Sequence, residues 1–121
     1  MVVEIKTIEQ FKSVVGDENT GLVIIDFFAQ WCGPCKIIAP KFLKMSEKHT
    51  KVGFYKIDAD NNEMQNICTA CNIQSLPTFC FFLKGKYITN MAGADDKKLE
   101  KLIIQYTPKS KVTETEIEKK L

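Results

Sequence analysis

The chain has no arginine: all 17 basic side chains are lysine. Readers of nucleic acid and phosphate draw on the planar guanidinium fork, so its absence weighs against such partners. A net charge of +2 supplies no bulk pull toward nucleic acid either. Long apolar runs are also missing. The run at residues 22–25 is broken by Asp26, and nothing approaches the roughly 20 residues of a membrane span. The opening Met1-Val2-Val3-Glu4-Ile5-Lys6 is too short and too soon charged to read as a signal peptide. Histidine occurs once, at His49, and no internal repeat or low-complexity tract is visible. The expectation is a chain without nucleic-acid or membrane partners, cytoplasmic by default, with the nucleus left open.

What is present suits one globular domain: 121 residues, 45% hydrophobic and 26% charged. Thr7-Ile8-Glu9-Gln10 has the form of a capping box. It opens a short helix with Ile8, Phe11, Val14 and Val15 on one face. Residues 22–28 form a β-branched and aromatic run, the pattern of a strand buried on both faces. A helix follows from about Cys35 to Lys48, with Ile37, Ile38, Phe42, Leu43 and Met45 as its apolar positions. Pro40 inside it removes one backbone donor and should kink it. Residues 52–57 read as a strand, 62–71 as helical, and 77–83 as a third buried strand. Lys84-Gly85-Lys86 is a tight turn into a returning strand at 87–91, which Gly93 ends. Asp95 caps a last helix carrying Leu99, Leu102, Ile103 and Tyr106, and Pro108 stops it. This order predicts an α/β fold, a central mixed β-sheet flanked by helices on both faces. The domain should span residues 1–107. Residues 108–121 read as a polar extension, either solvated or holding one short helix capped near Thr113.

The chemistry concentrates in Trp31-Cys32-Gly33-Pro34-Cys35-Lys36. A Cys-x-x-Cys unit stands between a buried strand and a helix. Free N–H groups and the dipole at a helix start favour a thiolate at Cys32, and Lys36 adds positive charge nearby. The two-residue spacer brings both sulfurs within reach of a small disulfide ring. Pro34 stiffens it and suits the first helical turn. Cys32, ahead of the helix, should be the more exposed sulfur and the nucleophile. Cys35, inside the first turn, should be buried and resolve the mixed disulfide.

Two further residues stand out. Asp26 interrupts an apolar strand six residues before Cys32. A carboxyl there is costly unless paired or protonated; burial raises its pKa and suits it to deprotonate Cys35. The alternative is a solvated Asp facing a sheet edge. Pro77 enters a buried strand, where proline is normally excluded. A cis Leu76–Pro77 bond at the strand start would accommodate it and leave the Leu76 backbone free to pair with an extended substrate.

With these residues in view, the chain resembles the thioredoxin family. The stretch from Asp26 through Trp31-Cys32-Gly33-Pro34-Cys35-Lys36 is similar to that family's active-site signature. Pro40, Asp58, Leu76-Pro77-Thr78-Phe79, Lys84-Gly85 and Gly93-Ala94 fall where the family has comparable features. The resemblance covers about residues 2–107. It implies the thioredoxin fold, Cys32 as nucleophile, Cys35 as resolving thiol and Pro77 as the cis proline. It further implies that Trp31, Ile73, Leu76, Gly93 and Ala94 form an apolar surface receiving substrate proteins. The implied cycle has no bound cofactor. A redox-active Cys32–Cys35 disulfide is reduced by a thioredoxin reductase, fed by NADPH, and then reduces disulfide-containing proteins. The Gly33-Pro34 spacer is that of reducing members, and the implied state is monomeric. Ser75 stands where many animal cytosolic members carry a cysteine, so dimerisation or modification through that position is not implied.

The other cysteines allow blander readings. Cys68 and Cys71 form a second Cys-x-x-Cys, but 32 residues separate it from the first, beyond typical zinc-ribbon spacing, and no metal site is expected. A regulatory disulfide between them competes with inward packing of Cys71 and an incidental Cys68. Cys80, among Phe79, Phe81 and Phe82, reads as core. An odd total of five cysteines without a signal peptide fits a reducing compartment. His49, about 20 Å along the helix from Cys35, is too far for Cys–His catalysis and reads as a surface residue near the helix C-terminus. Asp58, Asp60 and Asn61 lack the glycine and distal glutamate of a calcium loop; Asp58 is expected to perturb Asp26 or the thiols modestly. The leading reading is a protein-disulfide reductase. The competing one is a thioredoxin-like binding or redox-sensing module with little turnover.

Overall fold

The computed structural model describes residues 1–18 and 21–108. Five strands form one sheet in the order β1-β3-β2-β4-β5. They are β1 (Val2–Glu4), β2 (Leu22–Phe28), β3 (Gly53–Asp58), β4 (Thr78–Leu83) and β5 (Lys86–Ala92). The β1–β3 and β3–β2 pairs are parallel; β2–β4 and β4–β5 are antiparallel. The parallel pairs need crossovers, and helices supply them: α1 (Ile8–Gly16) and α2 (Gly33–Lys48). Beyond β3, a 3-10 turn at Asn62–Met64 leads into α3 (Gln65–Ala70), and α4 (Asp96–Tyr106) follows β5.

Alternation along β2 divides the core. Leu22 and Ile24 pack with Ile38, Phe42 and Met45 of α2 and with Leu99 and Ile103 of α4. Val23, Ile25 and Phe27 pack on the opposite face with Ile67 of α3, Cys71, Cys80 and the partly buried apolar residues of α1. Both faces of β2 are therefore covered, which explains its unbroken apolar run. Phe27, Phe42, Phe79 and Phe81 are fully buried, each worth about 1.5–3 kcal/mol against exposure.

Local chemistry sets the element ends. Thr7 caps α1 by accepting the Gln10 N–H, while the Gln10 side chain takes the Lys6 N–H rather than that of Thr7 itself. Asp95 caps α4 by accepting the Lys98 N–H. Lys84 and Gly85, with φ of 52° and 81°, make the two-residue turn between β4 and β5, the conformation that matches strand twist.

Several boundaries differ from the sequence expectation. Helix α2 begins at Gly33 rather than near Cys35, because Cys32 itself serves as its cap. Ile37 and Leu43 are exposed, since only Ile38, Phe42 and Met45 share the face turned to the sheet. The stretch 62–71 divides into a 3-10 turn and a short helix. The extension from residue 109 onward, including the cap at Thr113, lies outside the described residues.

Candidate active site

Strand β2 runs out at Phe28, and the chain turns through Trp31 into α2. Cys32 is the N-cap residue of α2, with Pro34 in the first turn. Its sulfur accepts the Cys35 N–H at 3.2 Å, and the two cysteines are joined in a disulfide with Cα atoms 5.3 Å apart. Both residues are buried, at 4% and 3% exposure. The two residues differ little in exposure, where the sequence leads one to expect a clearly more exposed Cys32 sulfur. Cys32 packs in one small cluster with Ala29 and Cys35, against Phe28 and Leu76.

Asp26 lies on the face of β2 that meets α2. It is 4% exposed, and its Oδ1 has no hydrogen-bond partner among the described residues. The alternative of an edge-facing, solvated carboxyl is thereby excluded. Burial pushes its pKa up to about 7, while the Lys56 ammonium pulls the other way. A cavity of about 260 Å3 is lined by Asp26, Cys35, Lys36 and Lys56 among others. The carboxyl and the inner thiol thus open onto one space large enough for water.

Leu76–Pro77 is cis. Pro77 is buried at the head of β4, and its carbonyl accepts the Gly93 N–H at 2.8 Å. Gly93 has φ +99°, a conformation side-chain-bearing residues rarely adopt. Trp31 is 71% exposed, Ile73, Leu76 and Gly93 are half-buried, and Ala94 is exposed. The Trp31 ring is held by its Nε1–H, which donates to Asp60 Oδ2 at 2.7 Å.

Family comparisons now bear on this geometry. The thioredoxin family model matches residues 2–105. The chain belongs to the thioredoxin family. Thioredoxin of Malassezia sympodialis is 45% identical over 105 residues, covering 85% of this chain and 96% of that protein. A thioredoxin-like protein of Acanthamoeba polyphaga mimivirus is 56% identical over 104 residues, covering 86% of this chain and 76% of its own length. Among solved structures, the Malassezia sympodialis thioredoxin superposes with a TM-score of 0.81 at 44% identity, covering 89% of this chain and 92% of that one. A thioredoxin fold carrying this Cys-x-x-Cys pair makes the chain a dithiol–disulfide oxidoreductase, specifically a protein-disulfide reductase.

Three residues carry more than their sequence pattern signals. Lys56 stands opposite Asp26 in the β2–β3 register and opposes the effect of its burial; Asp58, expected to perturb Asp26 or the thiols, accepts the Asp60 N–H, and its charge bears on the Cys68 thiol rather than on Asp26. A lysine in the middle of an otherwise apolar strand was the available signal. Asp60, a turn residue by its sequence pattern, also anchors Trp31. Tyr87, which the pattern marks only as the start of a strand, has its hydroxyl 3.3 Å from the Cys80 sulfur. His49 is half-buried rather than a free surface residue, because its ring meets Glu100 of α4 at 3.0 Å. Cys68, Cys71 and Cys80 are free thiols. Among the described residues, no group of three or more His, Cys, Asp or Glu is arranged to hold a metal ion, and no helix is long and apolar enough to cross a membrane.

Proposed function

We propose that Cys32 is the attacking thiol, Cys35 the resolving thiol and Asp26 the proton carrier of this reductase. The observation behind this reading is the cavity shared by the buried Asp26 carboxyl and Cys35, directly behind a disulfide that caps α2.

In the reduced chain, the cap position offers the Cys32 sulfur the Cys35 N–H and the positive end of the helix dipole. Its thiolate attacks a substrate disulfide. A bond forms between Cys32 and one substrate sulfur, and the other leaves as a thiol after taking a proton. Cys35 then gives its proton to the Asp26 carboxylate and attacks the Cys32 sulfur. The second substrate sulfur is released and takes that proton back from Asp26, and the Cys32–Cys35 disulfide closes. With the first leaving sulfur protonated by solvent, which received the proton Cys32 lost on ionising, two electrons and two protons have passed to the substrate. A carboxyl titrating near 7 can accept and return that proton near neutral pH.

Gly33 and Pro34 set the ring, and Pro77 fixes the strand end beside it. Trp31, Ile73, Leu76, Gly93 and Ala94 receive the substrate protein, with Lys36 contributing charge at the rim. The chain works as a cytoplasmic monomer, re-reduced with NADPH-derived electrons by a thioredoxin reductase. Three free thiols beside the active pair suit a reducing compartment. Residues 1–107 carry the activity, and 108–121 extend from it.

Insulin reduction driven by dithiothreitol tests the core of this reading. The wild-type chain should accelerate it and Cys32→Ser should not. Equal rates for the two would leave a binding module without turnover.

A further inference from the structure

Two cavities flank Asp26 on the α2 side of the sheet. The first, of about 260 Å3, is the one shared with Cys35, and its rim carries the exposed Gln30 and Lys36. The second, of about 310 Å3, runs past Pro40 and Phe42 to Val2 of β1 and the exposed Leu43. Asp26, Ala39 and Lys56 line both. Cys35, Ala39 and Leu43 stand on successive turns of α2, so one side of the helix walls the space from the inner thiol to the outer mouth. A rise of roughly 1.5 Å per residue makes that wall about 12 Å long. The paired strands β3 and β1 supply the facing wall through Lys56 and Val2. Ala39 puts only a methyl group between the two halves.

The Asp26 carboxyl is 4% exposed, with Oδ1 unpartnered among the described residues. Each cavity has room for water. Trp31, Ile73, Leu76, Gly93 and Ala94, the proposed substrate surface, are all described residues, and none of them lines either cavity.

We propose that Asp26 exchanges protons with solvent along this groove, through the mouth at Val2 and Leu43, and that Ala39 is the positioning residue that keeps it open. The inference rests on the proton-carrier role given to Asp26 above. In both halves of the cycle a partner is bonded to Cys32 when Cys35 gains or loses its proton, so a protein partner covers the substrate surface. The need for solvent arises when the disulfide reopens. An incoming thiolate bonds to Cys32, the S–S bond breaks, and Cys35 leaves as a thiolate. Asp26 gives it a proton, and the carboxylate regains one from solvent. The groove carries protons alone; the electrons stay with the sulfurs. Gln30 and Lys36 adjoin Trp31 and Cys35 in the chain, beside the covered surface, whereas Leu43 lies two turns farther along α2.

The test uses the full chain with Asp26→Ala and follows release of a protein substrate held on Cys32 in a mixed disulfide. Removing the carboxyl slows release and leaves room for a small base. Imidazole, which acts as a base near neutral pH, should restore release several-fold and saturate with concentration. HEPES, a bulky base of similar strength, should not. Adding Ala39→Leu, or Leu43→Trp at the outer mouth, should cut the imidazole effect several-fold. With glutathione on Cys32 in place of a protein, the mouth at Gln30 and Lys36 stays uncovered, and Leu43→Trp should leave the imidazole effect in place. Equal help from HEPES, an imidazole effect untouched by both replacements, or slow release that imidazole does not restore would each overturn the groove and leave the role of Asp26 standing. Release at the wild-type rate in Asp26→Ala without added base would overturn that role, and the groove with it.

Discussion

Asp26 and Lys56 stand opposite each other in the register of β2 and β3, yet burial outweighs the lysine's charge and holds the carboxyl near pH 7. An acid with a raised folded-state pKa costs stability once it ionises. Below about pH 3.8 both folded and unfolded forms are protonated. Between that value and about 7, the unfolded chain ionises first, so stability falls as pH rises. Above about 7 the loss is complete, on the order of 4 kcal/mol for so buried a group. Asp26→Asn keeps the shape and removes the titration. Its urea midpoint should gain on wild type from pH 4 to about pH 7 and then hold that advantage to pH 9, and parallel profiles throughout would show that Asp26 does not titrate in that range.

The same substitution should impair the resolving step. With no carboxylate to take the Cys35 proton, release of the mixed disulfide should slow by roughly tenfold to a hundredfold at neutral pH. Single-turnover kinetics separate this from the first attack, which should change little. Unchanged release would remove Asp26 from the mechanism.

Cys35→Ser should leave substrates attached to Cys32. The hydroxyl is close to isosteric with the thiol but does not resolve the intermediate. Mass spectrometry of the variant after exposure to oxidised insulin should find insulin chains bonded through Cys32. Chains bonded elsewhere, or none, would transfer the role of attacking thiol away from Cys32.

Much of this was legible in the sequence because particular residues break local rules. Asp26 in an apolar strand and Pro77 at a strand entry each violate a preference that only a site explains. The capping residues Thr7 and Asp95 were legible for the opposite reason, since they obey one. Contacts between residues distant along the chain were not legible. Asp60 reaches Trp31 across 29 positions, and Glu100 reaches His49 across 51; no local pattern encodes either. The equal burial of Cys32 and Cys35 was missed because position relative to a helix does not fix where a sulfur points.

The Trp31–Asp60 bond makes a spectroscopic prediction, since Trp31 is the single tryptophan. Its ring is exposed, and within the described structure one 2.7 Å hydrogen bond to a carboxylate restrains it. A hydrogen bond to a charged acceptor is worth about 1.5–3 kcal/mol, less at an exposed site. Asp60→Ala should release the ring, lowering fluorescence anisotropy and raising KM for a protein substrate more than it lowers kcat. Unaltered anisotropy would mean that packing, not Asp60, orients Trp31.

Phe42 links the core to the site. Its ring lies 5.0 Å from Phe54 and 5.4 Å from Phe79, and it is 2% exposed. It also lines, with Asp26, Pro40 and Lys56, a second cavity of about 310 Å3. Phe42→Ala should therefore do two things. Lost burial and the space left behind should cost about 3–5 kcal/mol, a large share of the stability of one domain. Water admitted beside Asp26 should weaken the desolvation that raises its pKa, moving its titration downward toward the ordinary carboxylate range. Denaturant unfolding measures the first effect, and the pH dependence of stability measures the second. A lost core ring with the Asp26 midpoint still near 7 would mean that the strands around the carboxyl, rather than α2 packing, keep it dry.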